Sequence, residues 1–177
     1  MRQPRHLVEG AWYHVTVRVN RREMLLDRGN ARDLFLVFLA RAKKKYRFCV
    51  ANFCVMGNHV HLLLQPDRSE CLSDIMRWLL GNFAKAYNKK QGLCGHFWGD
   101  RFHSRVLEGF RHIAIVFGYI DENPVKAGLV AEASDWRYGA AWHSRMGDSG
   151  ILEKRPPWCA VLDGLRSFSN RLLTIES

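Results

Sequence analysis

The chain has 177 residues, enough for one domain that buries its own core without staples. Hydrophobic residues make up 47% and charged residues 25%, an ordinary globular mix that excludes wholesale disorder. Lys and Arg number 27 against 17 Asp and Glu, and the net charge of +10 points to a polyanion as partner, nucleic acid first. Residues Met1 to Trp12 are basic and polar without an apolar centre, so they do not read as a secretory signal. The longest apolar run, Leu34 to Ala40, is far short of the ~20 residues a membrane helix needs. Five cysteines (Cys49, Cys54, Cys71, Cys94, Cys159) form no Cys-x-x-Cys pair. They argue against a disulfide framework and for a reducing, cytoplasmic setting, with the thiols as small buried hydrophobes.

In chain order, Val8 to Val19 alternates apolar Tyr13, Val15, Val17 and Val19 with His14, Thr16 and Arg18, which predicts a first strand. Asn30 with Asp33 three residues on resembles a capping box and opens a predicted helix over Ala31 to Lys45. Arg47 to Met56 reads as a second strand, Gly57-Asn58 as a hairpin turn, and His59 to Gln65 as the returning strand, stopped by Pro66. Leu72 to Lys90 is the longest helical pattern, with Leu72, Met76, Leu79, Phe83 and Tyr87 on one apolar stripe. Phe102 to Glu108 predicts a fourth strand, and His112 to Asp121 a helix ending near Asn123-Pro124. The order β-α-β-β-α-β is the ferredoxin-like α+β pattern: an antiparallel sheet with helices packed on one face, here followed by a C-terminal helix and a loop-rich tail. Residues 1–145 read as the domain and 146–177 as a C-terminal extension.

The segment His59-Val60-His61 carries the clearest chemistry. On a strand, alternate residues share a face, so the two imidazoles stand roughly 6.5–7 Å apart at Cα and can converge on one cation. No Glu follows His59 and no Pro-Cys-x-x-Cys lies downstream, so a zinc deaminase is excluded. Two imidazoles with an oxygen ligand suit Mn²⁺ or Mg²⁺ with positions open for phosphate. The stretch Gly95 to Arg105 interleaves Phe97, Trp98 and Phe102 with basic residues, as a phosphate-and-base surface would. Arg101 and Arg105 are its expected phosphate contacts, and Arg18, Arg21 and Arg22 can edge the same groove. His14 can face the same side of the sheet, with strand-core packing as its expected role.

Four blocks in order resemble the tyrosine transposases associated with repetitive extragenic palindromes, relatives of small insertion-sequence transposases in the HUH endonuclease superfamily. They are Trp12 to Arg18, Met56 to Leu64, Gly95 to Phe102, and Tyr119-Ile120-Asp121-Glu122-Asn123-Pro124 with Val125 to Val130. The resemblance covers roughly residues 5 to 145 and marks 1–145 as an HUH tyrosine transposase-like domain. It implies a divalent metal on His59 and His61 and a single tyrosine that attacks single-stranded or hairpin DNA. The products are a 5′-phosphotyrosine link and a free 3′-OH, later resolved by strand transfer. Aligned with the family, Phe83 falls at the nucleophile position and Tyr87 lies one turn on, so Tyr87 is the nucleophile candidate and Asn88, by the same resemblance, a metal ligand. The alternative is a domesticated DNA-binding protein that has lost cleavage. Arg18, Arg101 and Arg105 are the expected DNA contacts, and the chain is expected to act as a monomer or a homodimer.

Overall fold

The centre of the molecule is a four-stranded antiparallel sheet in the order β2-β3-β1-β4, made of β1 (Trp12–Arg18), β2 (Phe48–Val55), β3 (His59–Pro66) and β4 (His103–Leu107). Helix α1 (Ala31–Lys45) links β1 to β2, and α2 (Leu72–Gln91) links β3 to β4. The structure, a computed structural model, describes residues 8–147 and 150–172, the side chains of residues 166–172 excepted. The ferredoxin-like order expected from the sequence is the one observed. The first strand begins later than expected because Gly10, at φ 64°, turns the chain back, and the Tyr13 hydroxyl donates to the Val8 carbonyl at 2.7 Å. The expected capping box at α1 is absent: the Asn30 amide oxygen takes the Lys90 ammonium, and Asp33 pairs with Arg137.

Strand alternation decides which helix covers which face. Tyr13, Val15 and Val17, with Val60, Leu62 and Leu64, point to the side where Phe35 and Leu39 of α1 meet Ile75, Leu79 and Phe83 of α2. Each such fully buried side chain contributes about 1.5–3 kcal/mol. The other face carries Cys54, Leu63 and Leu107 and is covered by Ile113, Phe117 and Ile120 of α3 (Gly109–Lys126). The short α4 (Ala140–Arg145) packs beside β2, and α5 (Trp158–Leu172) adds Cys159 and Leu162 to the second core. So the two helices of the βαββαβ unit share one face, α3 and α5 occupy the opposite one, and α4 sits at the β2 edge with Ala140 in the first core. Of the cysteines, Cys54 and Cys159 are buried as expected, whereas Cys71 and Cys94 are exposed.

Helix α3 runs past Asn123-Pro124 to Lys126. Pro124 falls in the last turn, where one missing backbone donor is tolerable, and Gly128 at φ 67° closes the end. What fixes α3 on the sheet is a polar contact in an apolar seam. The β2–β3 register shifts between Val50 and Asn52, and this irregularity turns Asn52, 0% exposed, toward the helix. Its amide donates to the Phe117 carbonyl and to the Asp121 carboxylate, each at 2.9 Å, while its oxygen accepts the Phe53 N–H at 2.7 Å. Asn52→Leu is expected to lower stability by about 1–3 kcal/mol, because it strips that donor from a buried carboxylate. In a urea titration the midpoint would fall with the slope unchanged; an unmoved midpoint would show that the clamp contributes nothing.

Candidate metal and nucleic-acid site

His59 and His61 alternate with Val60 and Leu62, so they point away from α1 and α2, to the face crossed by α3. The pairing of β1 with β3 sets Thr16 beside His61 and Arg18 beside His59, and His14 shares their side of the sheet. Their rings make a small aromatic cluster. His59 and His61 are 4.9 Å apart and perpendicular, and His14 and His61 are 5.2 Å apart and nearly parallel. The ring of Tyr119, from α3, stands edge-on to both His61 at 5.4 Å and His14 at 6.0 Å. Tyr119 remains 45% exposed, reachable from solvent.

Each imidazole of the pair has its Nδ1 engaged by the protein. His61 Nδ1 lies 3.0 Å from His14 Nε2 and 3.2 Å from Thr16 Oγ1. His59 Nδ1 donates to Asn58 Oδ1 at 2.7 Å, and Asn58 Nδ2 donates to the Arg22 carbonyl at 3.1 Å. Such contacts fix ring orientation and leave Nε2 as the nitrogen able to ligate. Asn123, one turn beyond Tyr119, donates its Nδ2 to the Tyr119 carbonyl at 2.7 Å and stands near enough to His59 to raise its pKa. Burial pushes the His61 pKa down to about 3, helped by His59, His14 and Arg18. His59 is lowered by burial and by Arg18, partly opposed by Asn123, and His14 by burial and Arg105. All three therefore favour the neutral form, which is the form that binds metal. Among the described residues, no group of three or more His, Cys, Asp or Glu is placed to hold a metal ion. The donor set available is two imidazoles with amide oxygen, which suits Mn²⁺ or Mg²⁺ completed by phosphate or water.

Next to His14 and Thr16 opens a groove of about 750 Å³ that brings together Arg18, Arg101 and Arg105, with Arg21, Arg22 and His103 beside them. Its wall is the loop before β4. The Gly99 N–H donates to the Arg18 carbonyl at 3.1 Å and the Asn20 N–H to the Phe97 carbonyl at 2.8 Å. A Cβ at Gly99 would come within 3.2 Å of the Asn20 Cα, so a larger residue would push the Asn20 backbone back by a few tenths of an ångström. Phe97 is buried, and the Trp98 indole donates to the Leu80 carbonyl at 3.0 Å, so these two rings anchor the loop to the core. The backbone opposite is strained: Arg21 and Arg22 take φ of 51° and 58°, a left-handed conformation that costs a non-glycine residue roughly 1–2 kcal/mol.

The structure thus brings Arg18, Arg101 and Arg105 into one groove, sets His59 and His61 beside it through Arg18 and Thr16, and separates Tyr87 and Asn88 from them. Tyr87 is 2% exposed and lies in the core beneath α2, stacked on Phe83 and against Phe97, on the opposite side of the sheet from the histidines. Asn88 donates to the Gly95 carbonyl at 3.0 Å and tethers the loop. Phe83 packs against Phe35, Phe97 and Trp98, so its lack of a hydroxyl has no bearing on this site. His14, read from the sequence as core packing, is instead the ring stacked on His61. Tyr119, Asn123 and Thr16 were missed. The signal for the first two was the i, i+4 pair inside the block Tyr119 to Asn123, on a long helix whose stripe is not needed for the α1–α2 core.

Three comparisons bear on this geometry. A family model described as "Transposase IS200 like" matches residues 7–123, a stretch that ends on Asn123. Over 108 residues the chain is 27% identical to a Haemophilus influenzae protein named as a REP-associated tyrosine transposase, covering 54% of this chain and 60% of the relative. The chain spans about 60% of the length of that curated relative. A solved REP-associated tyrosine transposase bound to a REP hairpin is similar in fold, with a TM-score of 0.69 and 22% identity over 88% of this chain and 92% of that one.

The buried imidazoles set a pH dependence. Their folded pKa values lie below the unfolded value near 6.5, so the unfolded chain binds protons first as pH falls. The stability they contribute is whole above about pH 6.5 and is lost progressively toward about pH 3. Metal-free melting curves recorded at about pH 8, 6.5 and 5 should show a falling Tm, and His61→Asn should flatten that fall. A Tm slope identical in the variant would contradict the assignment.

Proposed function

The chain belongs to the IS200-like transposase family, and from that premise we propose that it cleaves and rejoins single-stranded or hairpin DNA through a phosphotyrosine on Tyr119, in a metal-dependent reaction. The observation that carries this reading is the edge-on contact of the solvent-reachable Tyr119 ring with His61 and His14, with Asn123 one turn on, beside His59. His59 and His61 would hold the metal through Nε2, and Asn123 through its amide oxygen. A divalent cation there supplies neutralisation of the scissile phosphate and orients it in line. His14, Thr16 and Asn58 hold the two imidazoles in the neutral tautomer that can ligate.

The DNA lies in the groove, its phosphates on Arg18, Arg101 and Arg105. The Tyr119 oxygen, giving up its phenolic proton to solvent, attacks phosphorus, and the bond from phosphorus to the 3′ oxygen breaks. The leaving oxygen takes up a proton and becomes a free 3′-OH, while the 5′ side stays on the tyrosine. Rejoining reverses the step: a 3′-OH attacks the phosphotyrosine and the phenol is released. Because one copy carries both the histidine pair and Tyr119, a monomer holds the whole set. That the similar solved structure is bound to a REP hairpin supports a hairpin as the class of DNA.

Labelled hairpin DNA with a single-stranded flank, incubated with the protein and Mn²⁺, should give a covalent adduct. Tyr119→Phe should abolish it and Tyr87→Phe should leave it; the reverse pattern would overturn the assignment. His14→Ala and Thr16→Val should each weaken Mn²⁺ binding by roughly 10–100-fold, read by titration of the free ion's EPR signal.

A further inference from the structure

We infer that the turn Asn20–Glu23, which follows β1, is a phosphate clamp whose two arginines, Arg21 and Arg22, seat the DNA strand beside the histidine pair. The inference rests on the reading of the chain as a DNA transposase and adds to it a site that the four family blocks do not contain. Two overlapping turns close here: the Arg22 N–H donates to the Val19 carbonyl and the Glu23 N–H to the Asn20 carbonyl, each at 3.1 Å. They force Arg21 (φ 51°, ψ 16°) and Arg22 (φ 58°) into the left-handed region in succession. Glycine and asparagine occupy such positions readily; a pair of arginines does not. Backbone preference therefore cannot account for arginine here, and the side chains must.

Both side chains are exposed and line the groove with Arg18, Arg101 and Arg105. Among the described residues neither guanidinium is paired with a carboxylate. A planar fork with five donors fits a phosphate diester, and two forks on adjacent residues fit successive phosphates of one strand. The turn is also tied to the ligand end of the site: the Arg22 carbonyl accepts from Asn58 Nδ2, and Asn58 Oδ1 accepts from His59 Nδ1. A strand held on Arg21 and Arg22 is thereby held in fixed relation to His59.

Glycine separates the side chains from the backbone they sit on. Arg21→Gly and Arg22→Gly remove the guanidinium but adopt the same φ without strain, keeping the carbonyl that Asn58 grips. The probe is a fluorescent DNA hairpin with a single-stranded 5′ flank, bound without metal over a range of salt. Each variant should weaken binding by about 3–10-fold and reduce the slope of log affinity against log salt by about 0.7. Tm should stay level or rise by up to about 2 °C, since strain is released, and Mn²⁺ affinity should be unchanged. The double variant Arg21→Lys with Arg22→Lys should keep most of the affinity. Unchanged DNA affinity and salt slope in the double glycine variant would overturn the clamp. So would a Tm lowered by several degrees together with lost Mn²⁺ binding, which would make the turn purely structural. A wild-type chain that forms no adduct yet loses DNA affinity in the glycine variants would keep the clamp and sink the cleavage reading instead.

Discussion

Helix α3 is held to the apolar part of its seam by the Asn52 carboxamide, and the candidate site depends on that contact. Ile113, Phe117 and Ile120 could slide or rotate over Cys54, Leu63 and Leu107 at little cost, because apolar contact is not directional. The Asn52 carboxamide is directional: it grips a backbone carbonyl and a carboxylate one turn apart on α3. Asp121 lies between Tyr119 and Asn123 in sequence, so fixing it fixes the rotation of both. A buried polar cluster of this kind contributes little net free energy when satisfied and costs several times more when broken. That asymmetry makes it a setter of register and not merely a source of stability.

The site itself is a compromise between burial and coordination. Three imidazoles stand where the sheet is half covered by α3, dry enough that each is held neutral. Neutral rings would still be poor ligands if free to choose their tautomer. Thr16, His14 and Asn58 remove that choice by occupying the Nδ1 positions. Tyr119 completes the arrangement from the edge, packed on two rings yet open to solvent, as the proposed attack on a bulky polymer would require.

Most of the fold was legible because its signals are local: alternation in β1, the Gly57-Asn58 turn, and the apolar stripe of α2. The histidine pair was legible for the same reason, since a strand of period two puts both rings on one face. The tyrosine was not, although the needed facts were present. Val60, Leu62 and Leu64 were assigned to the core, and so was the stripe ending in Phe83 and Tyr87; a residue on that stripe faces those aliphatics and cannot face the histidines between them. What remained hidden was the placement of a third helix on the far face. That placement depends on the β2 irregularity at Asn52, a register shift that the alternation in the sequence does not announce. His14 was misassigned by the same gap: with no helix expected on that side, an inward ring had only the core to go to.

The excess of positive charge acquires a location and a physical meaning from this arrangement. Arg18, Arg21, Arg22, Arg101 and Arg105 converge on one groove with Asp100 among them, so positive charge is crowded there well in excess of negative. Such crowding is unfavourable in the free protein, and the left-handed backbone at Arg21 and Arg22 adds to the tension. A docking polyanion that releases its own condensed counterions would relieve both, returning on binding the free energy withheld from folding. The groove adjoins His14 and Thr16, and the turn that bears Arg22 grips Asn58. A strand docked as proposed would therefore have its phosphates registered against the histidine pair, which ties the position of the charge to the position of the chemistry.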